Sequence, residues 1–300
     1  MRVFVTGGLG FIGSHIVLEL LKMGDEVTVL ARDHHKIPAF LELDKLSIVK
    51  GGLDDHETIR MALAGQDACI HNALYWEEEP TELQLKDTRT SVDLFESAAN
   101  AGVKHLIYTS STAVARPFKA FMTEDARLTP TDFYGATKAA SEIFLSAFSY
   151  QTEMRCNVIR PGPTVGKPAV DGAPTTSDRR LKEFVRAALA GDALHVIRAD
   201  GRQFIGAEDL AKLYSAVLRS DVNRETYFAV ARNFTLWEDI ARDAVSLVQS
   251  ESSVVVREPL DVDTPQVFDT RKMEHSFGFV FDSSVAVGQH IAHLAAVLAP

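Results

Sequence analysis

Cysteine is scarce in this chain: two among 300 residues, Cys69 and Cys156, both inside apolar runs. So placed, they read as core thiols in a reducing compartment rather than as a disulfide staple. Positive charge is in deficit, with Lys and Arg totalling 31 against 41 Asp and Glu, a formal net charge of −10. A surface of that sign argues against nucleic acid or an anionic membrane as a partner, since both require a basic footprint. Long hydrophobic runs are missing too, none reaching the roughly 18 apolar residues of a membrane span. The opening "MRVFVTGG" breaks into glycines after a short apolar run, too short for a secretion signal. These shortages together predict a cytoplasmic protein. What is present is ordinary: 46% hydrophobic and 24% charged residues, in a chain long enough for one large domain or two modest ones.

Short apolar runs alternate with helical patterns. "VFVTG" precedes a helix through "SHIVLELLKMG"; "EVTVLA" and "LSIVKG" follow, then "HETIRMALAG" and "DACIHNA". A helix ending "LFESAANAGV", the strand "HLIYTSS", another helix and "RCNVIRPG" complete the series. The strands are continuously apolar, as strands covered on both faces by helices must be. This alternation predicts an α/β fold with a doubly wound parallel sheet of Rossmann type, its ligand at the strands' carboxyl ends. After Pro161, "RPGPTVGKPAVDGAPTTSD" holds four prolines and reads as a long loop or lid. Beyond it come helical patterns, the strand-like "TYFAVA", the polar "QSESSVVVREPLDVDTP" and a C-terminal helix. Residues 1–165 are expected to form a dinucleotide-binding domain, with 203–232 returning to it. Residues 166–202 and 233–300 are expected to form a smaller mixed α/β substrate lobe.

Between the first strand and helix, Gly7, Gly10 and Gly13 stand in the spacing Gly-x-x-Gly-x-x-Gly. Gly7 permits a tight turn, Gly10 lets a pyrophosphate approach the backbone, and Gly13 lets helix and strand pack closely. The helix start then offers free N–H groups and a positive dipole end to phosphates. Further on, "TDFYGATKAASEIF" sets Tyr134 and Lys138 one helical turn apart, on one face.

"TGGLGFIG" and "YGATK" together resemble the short-chain dehydrogenase/reductase superfamily, in its extended branch of nucleotide-sugar epimerases, dehydratases and related reductases. "HLIYTSSTAV", "VIRPGPTVGKP", "GRQFIGAEDLAKLYSAV" and "VFDTRKMEHSFGF" are similar to later family segments in the right order, so the resemblance spans nearly the whole chain. It implies a Ser-Tyr-Lys mechanism. Tyr134 would exchange a proton with a substrate hydroxyl, its pKa lowered from about 10 by Lys138 and by a cationic nicotinamide ring. Lys138 would also hold the nicotinamide ribose. Ser111 would orient the substrate oxygen, with Ser110 the alternative. The residues expected to hold the cofactor are Gly7, Gly10, Phe11, Ile12, Gly13, Arg32, Leu53, Ala73, Thr109, Tyr134, Lys138 and Pro161. A homodimer is expected, paired through the Tyr134 helix and the one before it.

Several positions depart from the family pattern. At the second strand's end, where NAD-preferring members carry an acidic residue, stand Ala31 and then Arg32. A guanidinium suits a 2′-phosphate, so NADP is favoured over NAD, although Asp33 remains a possible ribose partner. Gly52 occupies a position where the family commonly has an adenine-contacting Asp. Pro163 replaces an Asn that donates to the substrate's diphosphate, and proline cannot donate. Arg202 matches a family arginine near that diphosphate, yet reads equally as a surface salt-bridge former. Leu74, Tyr75 and Trp76 read either as an apolar substrate wall or as filling of a core gap. The acidic "EEEP" at 77–80 reads as a solvated loop, and the adjacent His34 and His35 lack a third ligand, so no metal is expected. The expected function is NAD(P)-dependent oxidation, reduction or epimerisation of a small secondary alcohol or ketone. A nucleotide-sugar epimerase or dehydratase, and a dinucleotide-binding sensor without turnover, are the alternatives.

Overall fold

A computed structural model of the chain describes residues 1–33, 37–75, 80–176, 179–259 and 265–299. His34, His35, Trp76 and Glu77–Glu79 lie outside the described residues, so the readings that rest on them have no structural counterpart. Seven strands make one sheet: β1 (Arg2–Thr6), β2 (Glu26–Ala31), β3 (Leu46–Lys50), β4 (Ala68–His71), β5 (His105–Thr109), β6 (Arg155–Pro161) and β7 (Thr226–Ala229). Their order is β7-β6-β5-β4-β1-β2-β3, and every pairing is parallel. The chain therefore winds outward in both directions from β1 and β4. That reversal leaves a crevice above their carboxyl ends, where ligands bind in such sheets.

Helices α1 (Phe11–Lys22), α2 (His56–Leu63), α3 (Pro80–Asn100) and α4 (Phe133–Gln151) connect the strands. Two apolar clusters cover the sheet's faces. One joins Val5, Val29 and Ile107 to Ile16 and Leu20 of α1; the other joins Phe4 and Leu106 to Ile59, Phe95 and Leu145 of α2 to α4. Burying each such side chain contributes roughly 1.5–3 kcal/mol, which explains why these strands are apolar on both faces.

After β6 the chain forms helices α5 (Arg179–Ala190), α6 (Ala207–Arg219), α7 (Trp237–Leu247) and α8 (Ser283–Leu298). Helix α6 returns to pack against α1, placing Leu210 and Tyr214 in the sheet's own core. A third cluster gathers Phe184 of α5, Trp237 and Ile240 of α7 and Ile291 of α8. Two short parallel strands, Leu194–Ile197 and Val254–Arg257, pair beside it. The second lies in the stretch that reads as merely polar in sequence. Its partner alternates buried Leu194 and Val196 with exposed His195 and Ile197, a period-2 pattern too brief to stand out.

Candidate active site

A cleft of about 1490 Å³ opens over the carboxyl ends of the sheet. Its first wall is the turn from β1 to α1. Gly7 adopts φ +68°, and a Cβ there would come within 2.8 Å of the Ala73 backbone N. The turn therefore lies directly against the end of β4. At Gly13 a Cβ would sit 2.0 Å from the Gly7 carbonyl oxygen, so α1 reaches the strand only because that position has no side chain. Gly13 thus acts by packing and does not itself line the cleft. Gly10, by contrast, lines it, and its added Cβ would meet protein only at Gly7 O, 3.1 Å away. No side chain caps α1. Its first amides, at Phe11 and Ile12, stand at the cleft, in the arrangement that suits a pyrophosphate.

Ala31, Arg32 and Asp33 at the end of β2, and Gly52, Leu53 and Asp54 after β3, line the same end. Ala73, Thr109, Ser111, Tyr134, Lys138 and Pro161 line it further along, so the structure brings the expected residues together, Gly13 apart.

Helix α4 is held in place at its start. Asp132 accepts from the Gly135 amide at 2.7 Å as N-cap and pairs with Arg116 at 2.8 Å. A Cβ at Gly135 would lie 2.8 Å from Ala113 O, so this glycine lets the helix rest on the turn after β5. That approach puts Tyr134 beside Ser111, near enough for the serine hydroxyl to hold down the tyrosine's pKa. Ser111 also accepts from the Ala113 amide at 3.2 Å. Ser110 is turned the other way, its buried hydroxyl donating to Glu142. Of the two serines, Ser111 meets the tyrosine.

Lys138 is 4% exposed, donates to Thr109 O at 3.2 Å and lies 5.0 Å from the Tyr108 ring. Burial lowers its pKa, while the carboxylates of Asp87 and Glu142 oppose that fall. The expectation of a lowered tyrosine pKa needs correction. Desolvation in the cleft holds Tyr134 above its ordinary value, opposed mainly by the Ser111 hydroxyl. Lys138 is committed to a carbonyl oxygen, and Asp87 and Asp132 add negative potential. In the protein by itself Tyr134 is a protonated phenol.

Sequence reasoning missed the buried polar frame beneath these groups. Arg160 grips Glu142 with two bonds, Nε to Oε1 at 2.9 Å and Nη2 to Oε2 at 2.7 Å, both residues buried. Asp87, fully buried on α3, accepts from the Tyr75 amide at 2.7 Å and from the Thr137 hydroxyl at 3.2 Å. His71 at the end of β4 meets Thr6 (2.7 Å) and Ser91 (2.9 Å). The faint signal for Glu142 is a carboxylate one turn beyond Lys138 in an otherwise apolar stretch.

Leu74, Tyr75, Pro163, Thr164 and Pro174 to Thr176 line the remaining end. Arg202 is not among the lining residues; it is paired with Asp200 at 2.8 Å, as a surface salt-bridge former would be. Among the described residues no His, Cys, Asp and Glu group is arranged to hold a metal, and no helix is long and apolar enough to cross a membrane.

Sheet order, glycine turn and crevice define a Rossmann-type dinucleotide-binding protein. The chain belongs to the NAD dependent epimerase/dehydratase family, whose model matches residues 3–230. UDP-glucose 4-epimerase of Lactobacillus helveticus is 29% identical over 245 residues, 73% of this chain and 72% of that one. A 3-beta-hydroxysteroid dehydrogenase of Mycolicibacterium neoaurum is 29% identical over 182 residues, 55% of this chain and 48% of its own. Among solved structures, the UDP-Glc/GlcNAc 4-epimerase of Campylobacter jejuni superposes with a TM-score of 0.82 at 17% identity, covering 99% of both chains. MoeE5 in complex with UDP-glucose and NAD gives 0.80 at 21% identity over 100% of both. At those identities the structural likeness establishes the fold.

Proposed function

We propose that the chain moves a hydride between a nicotinamide dinucleotide and a secondary alcohol or ketone, as an oxidoreductase or epimerase, with Ser111, Tyr134 and Lys138 at the reacting oxygen. The observation that carries this reading is that Ser111, Tyr134 and buried Lys138 line one cleft with the uncapped glycine turn. The cofactor, when bound, supplies or accepts hydride at its ring. Ser111 then holds the substrate oxygen. Tyr134, protonated in the protein by itself, donates to that oxygen in reduction. In oxidation it must first release its own proton to solvent, an ionisation that the positive charges of Lys138 and of an oxidised nicotinamide favour. It then takes the proton of the substrate hydroxyl. Gly10 and the first amides of α1 would hold the pyrophosphate, and Lys138 the ribose.

Two substrate classes compete. The relatives support a nucleotide sugar, since three of the four proteins named above act on or hold UDP-sugars, the 3-beta-hydroxysteroid dehydrogenase apart. Pro163, which has no amide hydrogen to donate, and Arg202, engaged with Asp200, support a carbonyl compound without a diphosphate. Purified protein with NAD or NADP, challenged with alcohols, ketones, sugars and UDP-sugars, separates them. Absorbance reports net redox turnover, and product analysis reports epimers. Dinucleotide binding without turnover of any compound would overturn the reading in favour of a sensor.

Ala31 and Arg32 support NADP, while the family is described as NAD dependent and several solved neighbours carry NAD. The third cluster, from α5, α7 and α8, is proposed as the core of the substrate lobe. Exposed Ile143, Phe144 and Tyr150 on α4 support an isologous dimer through that helix; a single monomeric species in sedimentation at micromolar concentration would refute it. Buried free thiols at Cys69 and Cys156 fit a reducing cytoplasm.

A further inference from the structure

We infer that Asp87 is a positioning residue that ties the loop 72–75, one wall of the cleft's substrate end, to the catalytic helix α4. This rests on the cleft being catalytic as proposed above. Asp87 is 0% exposed. A carboxylate withdrawn from water is tolerated only where donors surround it, and removing them leaves a large desolvation cost. Here the donors come from two different walls. Oδ1 accepts from the Tyr75 backbone amide at 2.7 Å, and Oδ2 accepts from the Thr137 hydroxyl at 3.2 Å.

Both connections lead to the site. Tyr75 and its neighbour Leu74 line the cleft, and the Tyr75 hydroxyl donates to Asp54 Oδ2 at 3.3 Å across it. Thr137 precedes Lys138, and its hydroxyl also meets that of Thr88, the residue after Asp87, at 2.7 Å. One buried carboxylate therefore sets how far the Leu74–Tyr75 wall stands from Tyr134 and Lys138. Its work is done in the gap that a substrate must fill, whereas the glycine turn that would hold the cofactor lies outside its bonds. Loosening it should weaken substrate binding and discrimination by size, and disturb dinucleotide binding less.

Asp87→Asn keeps a carbonyl oxygen for the Tyr75 amide and can donate to Thr137, so the tie survives without its charge. Asp87→Ala removes both ends, and Thr137→Val releases the α4 end with little change in volume. Hydrogen exchange at the Tyr75 amide in the full-length chain reads the tie without turnover. It should quicken at least tenfold in Asp87→Ala and change little in Asp87→Asn. For a substrate returned by the cofactor screen, Asp87→Ala and Thr137→Val should raise KM on the order of tenfold. Dinucleotide Kd should rise clearly less than KM, and Asp87→Asn should restore most of the KM. Unchanged Tyr75 exchange in Asp87→Ala would overturn the tie even if the enzyme turns over. KM and dinucleotide Kd rising together, or no recovery in Asp87→Asn, would overturn its role at the substrate end. If Asp87→Ala does not fold, Thr137→Val against Asp87→Asn decides: an unmoved KM in Thr137→Val refutes the proposal. Protected Tyr75 exchange with no turnover of any compound would refute the catalytic reading and leave the tie standing.

Discussion

At its cofactor end the cleft presents backbone; at its catalytic end it presents side chains. The first is built from Gly7, Gly10 and the opening amides of α1, within one short stretch of chain. The second is assembled from the ends of β4, β5 and β6, from α3 and from α4, whose buried groups bond across long separations. Ser110 reaches Glu142 32 residues on, and Thr137 reaches Asp87 50 residues back. A backbone site is sensitive to added volume and indifferent to charge. A side-chain site is sensitive to single atoms, because each group is held by another that is also buried.

Volume provides the severest break. Gly13→Val would drive a side chain into Gly7 O, where even a Cβ lies 2.0 Å away. Overpacking ordinarily costs about 1–3 kcal/mol, and a clash with backbone has no flexible neighbour to absorb it. The variant is expected to lose its cooperative melting transition. Gly10→Val, three residues earlier, meets only one contact at 3.1 Å and has φ −81°, open to any residue. It should melt near the parent and lose dinucleotide binding in a calorimetric titration. Parent-like melting of Gly13→Val, or parent-like affinity of Gly10→Val, would break the backbone half of the comparison.

Single atoms matter next. Tyr134→Phe deletes one hydroxyl from a residue that keeps 44% of its surface exposed, so folding and dinucleotide affinity should survive. Turnover should fall by about 10²–10⁴-fold, the usual worth of general acid–base catalysis. Near-parent turnover would show that the side-chain half is a remnant of the fold.

Arg32→Ala sharpens the comparison from the other direction, because Arg32 is a side chain at the backbone end. If it holds a 2′-phosphate, NADP affinity should drop about tenfold to a hundredfold, the range of a charge-assisted contact. NAD affinity should barely move. A parent protein that binds NAD more tightly than NADP would remove Arg32 from cofactor choice.

The same contrast explains what was legible in the sequence. Gly7, Gly10, Gly13 and the pair Tyr134–Lys138 declare themselves because their geometry is local: a turn, a helix start, one helical turn. The strands of the sheet were legible because burial on both faces leaves unbroken apolar runs. Asp87, Glu142, Arg160 and Gly135 were not, since each owes its role to a partner that only the folded chain brings near. The direction of the Tyr134 pKa was misjudged for a related reason. Spacing shows the lysine one turn away, but not the desolvation that raises the tyrosine's pKa, nor the bond that commits the lysine to Thr109 O.

The smallest expected effect is one of pH, at the joint between the two ends. His71 ends β4, fully buried between Thr6 of β1 and Ser91 of α3, and Thr6 in turn accepts from the Ala73 amide at 3.1 Å. Burial, reinforced by the charge of Lys138, lowers its pKa from 6.5 to about 3. The unfolded chain therefore takes up a proton near pH 6.5 that the folded chain refuses until about pH 3. Across that window acid favours unfolding, and stability rises with pH. One unit below 6.5 the loss from His71 is roughly 1.4 kcal/mol. His105, lowered to about 4 chiefly by burial, acts with the same sign, so part of the dependence remains when His71 is replaced. His71→Asn can still bond to Thr6 but cannot titrate. Its melting temperature, followed from pH 4 to pH 7, should climb less steeply than that of the parent, whatever its absolute value. Parallel slopes would mean that His71 takes its proton in the folded state as readily as in the unfolded one. Water would then reach the joint, and the catalytic end would not rest on the dry frame of buried partners that sets it apart from the cofactor end.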